Sequence, residues 1–352
     1  MVIKPNTATQ TVIKIHLEED IAYQTDILQD VSRTFALTIP QLPDPLGIVV
    51  GNAYLLCRIS DTIEDEEALS PLQKREFSDR WIGVVEGNDD AHAFAQDLSG
   101  LLTLSATEYE HDLIINAPRV IRITKSFSTS QQQILQRCVN IMADGMAVFQ
   151  EGANLKGLND LEHFNSYCYH VAGVVGEMLT ELFCDYSDEI DARKKDLFAL
   201  SSSFGQGLQM TNILKDLWED HNRGACWLPQ SIFLAYDFDL SSLSKHHTDP
   251  RFIQGLNELI AIAREHLNNA LQYILLIPPH ETGIRRFCLW ALGMALPTLR
   301  RIHKRPTFKN GQEVKIPRRT VKAVVVSTST LARSDIALKA LFFFFGRNLP
   351  RA

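Results

Sequence analysis

Two acidic pentads of the form Asp-x-x-Glu-Asp are the residues of this chain best suited to chemistry. They are Asp61-Thr62-Ile63-Glu64-Asp65 and Asp216-Leu217-Trp218-Glu219-Asp220. Residues four apart on a helix share a face, so the first and last carboxylates of each pentad are expected to point together. A divalent cation would compensate their repulsion, and Mg²⁺ typically binds one or two carboxylates plus substrate phosphates. Two such helices facing each other would hold a metal–diphosphate cluster.

The surroundings of the two pentads strengthen this interpretation. A single acidic pentad is more often a solvated helix end. Here the first follows the apolar run AYLLCRI, and the second lies at the end of GLQMTNILKDLW. Arg58 precedes the first pentad, and Lys215 and Arg223 flank the second. Carboxylates, metal ions and cations together describe a diphosphate site, since the cations bind what the metals leave exposed.

The composition excludes several other classes of protein. The chain has 352 residues, 45% of them apolar, and a net charge of −7, which argues against a nucleic-acid partner. Its six cysteines form no CxxC, so we expect neither a zinc site nor a disulfide framework. We expect the cysteines to be reduced, as in a reducing compartment. No signal-peptide stretch and no run of 18 apolar residues is found. We therefore expect a cytoplasmic protein, free or peripheral on a membrane.

The elements that must position these residues are helices. Apolar residues recur three or four apart over 159–184, 196–218 and 250–277, while sustained alternation is scarce. Prolines at 40, 43 and 45 mark a loop before a helix that begins near Leu46. No repeat or linker divides the chain, so we predict a single all-α domain over 1–352.

Five segments then resemble one known family. They are SRTFALTIP (32–40), YLLCRISDTIED (54–65), YCYHVAGVVGEMLTELF (167–183), QMTNILKDLWED (209–220) and RGACWLP (223–229). In order and spacing they resemble the squalene/phytoene synthase family. The resemblance implies an isoprenoid-synthase helical bundle, with a condensation core over 20–300 and a basic loop and C-terminal helices over 301–352. It also implies Mg²⁺-dependent head-to-head (1′–1) condensation of two prenyl diphosphates through a cyclopropyl intermediate.

The later segments resemble the squalene synthases of this family. RRFCLWALGMALPTL (285–299) and FKNGQEVKIPRRT (308–320) are similar to a block and a basic loop associated with NADPH-dependent reduction. The resemblance thus implies two farnesyl diphosphates as substrates, presqualene diphosphate as intermediate, and squalene for sterol or hopanoid biosynthesis. Two departures exist: Cys168-Tyr169-His170 stands where the family usually has Cys-His-Tyr, and Trp290-Ala291-Leu292 replaces a frequent Ile-Pro-Gln.

Two alternatives remain open at this point. The first is a dehydrosqualene, hydroxysqualene or phytoene synthase, which lacks the same reduction. The second is a non-catalytic helical protein that binds prenyl lipids. Two complete acidic motifs argue against the second alternative, because binding an apolar chain does not require paired metal carboxylates.

The resemblance also assigns roles to individual residues. The catalytic residues are Tyr54, Tyr167 and Arg58, and the metal ligands are Asp61, Glu64, Asp65, Asn212, Asp216 and Asp220. The substrate-binding residues are Ser32, Arg33, Phe35, Val171, Val175, Gln209, Lys215, Arg223 and Phe287. The residues that bind NADPH are Lys309, Lys315, Arg318 and Arg319.

Simpler interpretations exist for several of these residues. Ser32 could be a helix cap, and Arg58 could form only an i,i+3 salt bridge with Asp61. The small residues from Val171 to Gly176 could serve tight helix packing or line an isoprenoid tunnel. The basic segment 300–319 could be a solvated face or meet an anionic lipid. The C-terminal segment with four phenylalanines could pack on the core or enter a membrane interface.

Overall fold

Helices make up the regular structure of the chain, as the periodicity predicts. The computed structural model describes residues 7–32 and 34–351, with side chains from residue 15 onward. Within these ranges no strand forms, and Leu158 and Pro229 make one isolated β-bridge. The chain divides into an N-terminal unit, Met1–Ala147, and a C-terminal unit, Val148–Ala352. The single domain over 1–352 stays a prediction.

The helices of the N-terminal unit position the first acidic motif. They are α1 (Thr7–Val31), α2 (Phe35–Thr38), α3 (Asp44–Asp65), α4 (Pro71–Glu86), α5 (Ala91–Ser99), α6 (Glu108–Ile115) and α7 (Ala117–Ser126), and α8 (Thr129–Glu151) starts in this unit. Helix α3 begins at Asp44, two residues before the start predicted near Leu46, so Pro45 lies in its first turn. Pro40 lies in a 3₁₀ turn, Ile39–Gln41, so the predicted loop is reduced to Leu42 and Pro43. Leu55, Leu56 and Ile59 on α3 are fully buried. The core therefore holds the helix that presents the motif in its last turn.

Helix α3 also meets a simple criterion for a membrane span. It is the one helix of the described ranges whose length and hydropathy would allow it to cross a membrane. However, 72% of its apolar window is buried inside the protein. A core helix meets the same criterion, so this is weak evidence for a span.

The helices of the C-terminal unit carry the second motif. They are α9 (Leu161–Cys168), α10 (Val174–Tyr186), α11 (Asp188–Asp191), α12 (Lys194–Lys215), α13 (Leu217–Asn222), α14 (Gln230–Leu234), α15 (Leu243–His246), α16 (Pro250–Leu276), α17 (Thr282–Lys304), α18 (Gly311–Val314), α19 (Arg318–Leu331) and α20 (Asp335–Gly346). Helix α12 lies against α10 and α16. A Cβ added at Gly205 would lie 1.9 Å from the Ala172 carbonyl oxygen, and one at Gly176 would lie 2.1 Å from that of Ser201. The small residues thus allow backbone-to-backbone packing.

Two of the predicted helices are interrupted. A π-helical turn, Tyr169–Gly173, separates α9 from α10 within the segment predicted as one helix. A second break occurs at Asp216, where φ is −96° and ψ is 13°, between α12 and α13. Asp216 N–H still donates to Asn212 O at 2.8 Å, and Asp220 N–H donates to Asp216 O at 3.0 Å. One-turn spacing therefore survives the break, and π turns and bridge-region residues are frequent at functional sites.

A buried arginine fastens the C-terminal helices together. Arg285 on α17 is fully buried, and its Nε donates to Ile277 O at 2.8 Å. Its Nη1 donates to Ala332 O at 2.9 Å and pairs with Asp335 Oδ1 at 2.8 Å. Because a buried cation needs such partners, Arg285 joins the end of α16 to the turn between α19 and α20.

Candidate active site

The first acidic motif is held by an arginine with two carboxylate partners. Arg58 on α3 lies one turn before Asp61, with Nη1 3.6 Å from Asp61 Oδ2. Its Nη2 pairs with Glu110 Oε1 on α6, and its Nε is buried without a hydrogen-bond partner. Burial opposes the charge, but Asp61 and Glu110 hold the pKa of Arg58 above its ordinary value. The predicted i,i+3 salt bridge exists, and it is half of a larger arrangement.

Asp61 carries a charge in an unfavourable place. Burial raises its pKa to about 6, with Asp65 adding to the effect and Arg58 opposing it. Glu64 is half-buried and Asp65, the last residue of α3, is exposed. A divalent cation at this position would favour the ionised form of Asp61, because an opposite charge stabilises a carboxylate against burial.

Three predicted residues gather beside the first motif. Ser32 Oγ accepts a hydrogen bond from Phe35 N–H at 2.9 Å, as a helix-capping serine does. The rings of Phe35 and Tyr54 lie 5.2 Å apart, and Tyr54 Oη donates to Val31 O at 3.1 Å. Burial raises the pKa of Tyr54, so its phenol keeps its proton at neutral pH. Arg33 lies outside the described residues.

The second motif also has a cation at its first carboxylate. Lys215 Nζ lies 3.0 Å from Asp216 Oδ2 and donates to Asn212 Oδ1 at 3.4 Å. Burial raises the pKa of Asp216, and Lys215 opposes this. Gln209 is half-buried on α12, and Asp220 lies one turn beyond Asp216. Arg223, at the end of α13, is exposed.

An aromatic cluster surrounds Tyr167. Its ring stacks on Trp227 at 4.4 Å between centroids with an interplanar angle of 13°. Phe149 meets the same ring edge-on at 5.1 Å. Trp227 is 6% exposed and Tyr167 4%, so both rings are largely shielded from water. Such faces attract and shield a cation.

The remaining predicted substrate residues are apolar and more dispersed. Val171 lies in the π-helical turn and Val175 on α10, and both are half-buried. Phe287 on α17 is buried against Phe183, with centroids 6.2 Å apart. The tight packing at Gly176 and Gly205 fits the simpler interpretation of the small-residue segment. The tunnel-wall interpretation stays a prediction.

The basic loop, residues 305–319, lies against the second motif. Trp218 Nε1 donates to Phe308 O at 2.6 Å, and Gly311 N–H donates to Glu219 Oε1 at 2.9 Å. The side chains predicted to bind NADPH are all exposed; they are Lys309, Lys315, Arg318 and Arg319. The loop and the second motif are thus neighbours within the C-terminal unit.

The donor set of both motifs suits Mg²⁺. Carboxylate and amide oxygens are its preferred ligands in proteins. Within the described ranges, no three acidic, histidine or cysteine side chains converge closely enough to complete a cation site by themselves. Mg²⁺ commonly uses one or two carboxylates, waters and substrate phosphates, so each motif fits a site that substrate completes.

Several residues of the site were not predicted from the sequence. Glu110 is part of the capping box Thr107-x-x-Glu110, so the sequence indicates a helix start and not a partner for Arg58. Trp227 stands in the quoted segment RGACWLP, but nothing local indicates its stacking on Tyr167. Gly311 and Glu219 are 92 residues apart and are joined only by the fold.

Comparison with known proteins places this geometry in a family. Residues 28–320 match the family described as Squalene/phytoene synthase. Squalene synthase ERG9 of Candida albicans is 28% identical over 317 residues, which are 87% of this chain and 67% of the relative. The squalene synthase of Eremothecium gossypii is 30% identical over 279 residues, covering 78% of this chain and 60% of the relative. The chain thus spans about two thirds of these relatives or somewhat less.

A solved structure gives the same result for the fold. TcSQS in complex with the ligand BPH1237 superposes with a TM-score of 0.75 at 24% identity, over 93% of this chain and 91% of that one. The chain belongs to the squalene/phytoene synthase family. The predicted all-α isoprenoid-synthase fold is confirmed. The prediction that the protein is a prenyltransferase is confirmed by its family and its relatives.

Proposed function

We propose that the protein is a squalene synthase, which joins two farnesyl diphosphates head to head and reduces the product with NADPH. The structural observation that carries this proposal is shared by the two motifs: a cation meets the first aspartate of each. Arg58 lies 3.6 Å from Asp61, and Lys215 lies 3.0 Å from Asp216. The sequence predicts this function, and relatives at 28–30% identity that are named squalene synthases support it.

The first step requires departure of a diphosphate. Stabilising the negative charge that develops on the leaving group is the main catalytic need. Arg58 and Lys215 supply positive charge at the two motifs, and Arg223 adds a third cation at the end of α13. In the first motif Mg²⁺ would be held by Asp61, Glu64 and Asp65, and in the second by Asn212, Asp216 and Asp220. Bound Mg²⁺ would neutralise the charge of the diphosphate.

The carbocation left behind must be kept from water. The stacked rings of Tyr167 and Trp227, with Phe149 edge-on, provide aromatic faces in a buried position. Cation–π attraction at such faces stabilises positive charge, and burial excludes a nucleophilic water. Tyr54, with its raised pKa, is suited to hold a proton rather than to accept one. Ser32, Arg33, Phe35, Val171, Val175, Gln209 and Phe287 would contact the substrates.

The reductive step is assigned to the basic loop and the start of α19. Lys309, Lys315, Arg318 and Arg319 are exposed cations that would bind the phosphates of NADPH. A charge-assisted hydrogen bond from such cations is worth about 1.5–3 kcal/mol. The bound cofactor would supply the hydride. The four cations of this chain would position NADPH and neutralise the charge of its phosphates.

One experiment tests the proposal as a whole. Purified protein is incubated with farnesyl diphosphate, with Mg²⁺ or EDTA and with or without NADPH, and the products are identified by mass. Squalene formed only with Mg²⁺ and NADPH is the expected result. A C30 product that NADPH does not change would favour dehydrosqualene synthase, and preference for geranylgeranyl diphosphate would favour phytoene synthase. Tight prenyl-lipid binding without turnover would favour the non-catalytic alternative.

We further propose that the protein is cytoplasmic and contacts membranes through α20. Phe342 is buried, but Ile336, Phe343 and Phe344 are 85%, 68% and 58% exposed. Lys339 is exposed within α20, and Arg347 is exposed directly after its last residue. An apolar face beside cations favours an anionic membrane interface, and a hydrocarbon product needs such a destination.

Vesicle co-sedimentation tests this contact. Wild type is expected to bind vesicles containing phosphatidylserine, and the double change Phe343→Ser and Phe344→Ser to abolish binding. Val326→Ser, at a 65% exposed position on α19, serves as the control. Equal binding of both variants would contradict the membrane contact.

A further inference from the structure

The basic loop is hydrogen-bonded to two residues of the second motif that are not assigned to metal or substrate binding. Trp218 Nε1 donates to Phe308 O at 2.6 Å, and Glu219 Oε1 accepts the N–H of Gly311 at 2.9 Å. Both side chains come from α13, between Asp216 and Asp220. Within the acidic motif, the two side chains that bind the loop thus lie between the two carboxylates assigned to the metal.

The contact at Gly311 leaves little room for a side chain. A Cβ at this position would lie 3.1 Å from both Asp216 Oδ1 and Lys215 O, and 3.2 Å from Glu219 Oε1. Such distances are tighter than ordinary van der Waals contact, and Lys215 O belongs to the backbone. Without a side chain at Gly311, the loop backbone approaches the motif without displacing these atoms.

Hydrogen bonds to Glu313 connect the residues on both sides of Gly311. Glu313 Oε1 accepts hydrogen bonds from Lys309 N–H at 3.1 Å and from Asn310 Nδ2 at 3.3 Å. Arg301 Nη2 donates to Glu313 O at 2.9 Å. Anchoring at Gly311 therefore fixes the backbone that carries Lys309 and, four residues after Gly311, Lys315.

We propose that Glu219 is a positioning residue for the reductive step, which holds the basic loop on the second motif through the Gly311 amide. The proposal rests on the proposed function for its link to reduction, but the hydrogen bond itself does not. One oxygen of Glu219 holds the loop, and the other, Oε2, is buried without a hydrogen-bond partner. Its neighbours Asp216 and Asp220 are assigned to condensation, so the two half-reactions depend on the same short segment, residues 216–220.

The hydrogen bond is tested first in the protein without substrate. Amide hydrogen exchange over residues 308–314 is compared among wild type, Glu219→Ala and Glu219→Gln. Loss of a hydrogen bond to a charged acceptor should speed exchange about tenfold in the alanine variant, whereas glutamine keeps an acceptor oxygen. Glu258→Ala, which removes a carboxylate bonded to Tyr236 Oη at 2.9 Å, is the matched control. Unchanged protection in Glu219→Ala would overturn the proposal.

The link to reduction is tested by product ratio. In Glu219→Ala we expect the ratio of cyclopropyl intermediate to squalene to rise about tenfold and the KM for NADPH to rise more than that for farnesyl diphosphate, by the same hydrogen-bond argument. Glu219→Gln should restore both values. A glutamine variant that fails like alanine and needs more Mg²⁺ would show a metal ligand and overturn the proposal. A wild type that makes no squalene defeats the proposed function, while the exchange result still decides the hydrogen bond.

Discussion

Arg58 in α3 and Glu110 in α6 form an ion pair, and the same guanidinium reaches Asp61. Glu110 also completes the capping box with Thr107, so one carboxylate both starts α6 and holds the arginine of the first acidic motif. The charge that is to stabilise a leaving diphosphate is therefore fixed in place by two carboxylates before any substrate arrives.

Glu110→Gln tests the structural side of this pair. Glutamine keeps the capping box but removes the charge that faces Arg58. We expect the free energy of unfolding to fall by about 1–3 kcal/mol, the cost of leaving a buried charged group less well paired. Urea unfolding measures it, with the exposed Glu108→Gln in the same helical turn as control. Equal stability of the two variants would show that the pair contributes nothing.

Arg58→Lys tests the catalytic side. Lysine keeps the charge but loses the planar group that bridges two partners. We expect the rate of diphosphate release to fall more than about tenfold, which corresponds to about 1.4 kcal/mol, with a smaller change in substrate affinity. Rapid-quench measurement of released diphosphate gives the rate. If release is unchanged while Tm drops, Arg58 is only a structural ion pair.

Asp61 gives the protein without metal a pH dependence of stability. Its pKa in the folded state is raised to about 6 by burial, above the unfolded value of about 3.9. Its stabilising contribution is therefore complete below about pH 4 and is lost as pH rises through about 6. In EDTA, the free energy of unfolding of Asp61→Asn should rise relative to that of wild type by about 1–3 kcal/mol over this pH range. The reason is that each unit by which burial raises the pKa of Asp61 costs wild type about 1.4 kcal/mol once the group is ionised. The same variant should lose condensation.

Thermal unfolding from about pH 4 to about pH 7 checks this prediction. Asp79→Asn, a surface carboxylate 60% exposed on α4, is the control and should follow wild type. If the Asp61→Asn curve also runs parallel to wild type, the aspartate has no raised pKa. Wild-type-like turnover in Asp61→Asn or Asp216→Asn would contradict the assignment of both motifs to the metal.

The sequence predicted the helices well because their apolar faces are local and periodic. Helix α16 occupies Pro250–Leu276, where the periodicity predicts a helix over 250–277, and Pro43 ends the loop before α3. The motif residues were identifiable because their types and spacing are local too. The interruptions at Asp216 and at Tyr169–Gly173 were not predicted, since apolar spacing alone does not distinguish an α turn from a π turn or a bend.

Long-range partners were beyond the reach of the sequence for a different reason. Arg58 and Glu110 are 52 residues apart, and each has a satisfactory local role as a salt bridge or a helix cap. Lys309 and Lys315 were identifiable as a charged segment, but the hydrogen bond that anchors their loop joins a backbone amide to Glu219. No residue type marks which amide will be bound.

Variants in the basic loop should affect the reductive half-reaction and leave condensation unchanged. Changing both Lys315 and Arg318 to Ala should leave formation of the cyclopropyl intermediate intact and reduce squalene formation. The cause is loss of phosphate contacts, each worth about 1.5–3 kcal/mol. Intermediate and squalene are measured together in detergent. If instead vesicle binding falls while the product ratio stays the same, the loop is a membrane patch. Changing both Lys339 and Arg347 to Ala is the matched control. This control should lower vesicle binding and leave the ratio of intermediate to squalene unchanged.

Arg285 should be the most sensitive stability position of the C-terminal helices. It is fully buried and bonded to carbonyls of Ile277 and Ala332 and to Asp335. Arg285→Met leaves those acceptors unpaired, so we expect a loss of about 3–5 kcal/mol. Asp335→Asn, at a side chain 44% exposed, keeps an acceptor oxygen and should cost much less. Urea unfolding in which both variants lose the same free energy would contradict this view of the buried cation.

The order of intermediates in a single turnover tests the central claim most directly. Enzyme in excess is mixed with farnesyl diphosphate and Mg²⁺, quenched at intervals, and analysed for farnesyl diphosphate, presqualene diphosphate and squalene. Without NADPH we predict that presqualene diphosphate accumulates, and that later addition of NADPH converts it to squalene. A final product that is the same with and without NADPH, or no condensation at all, would contradict the account.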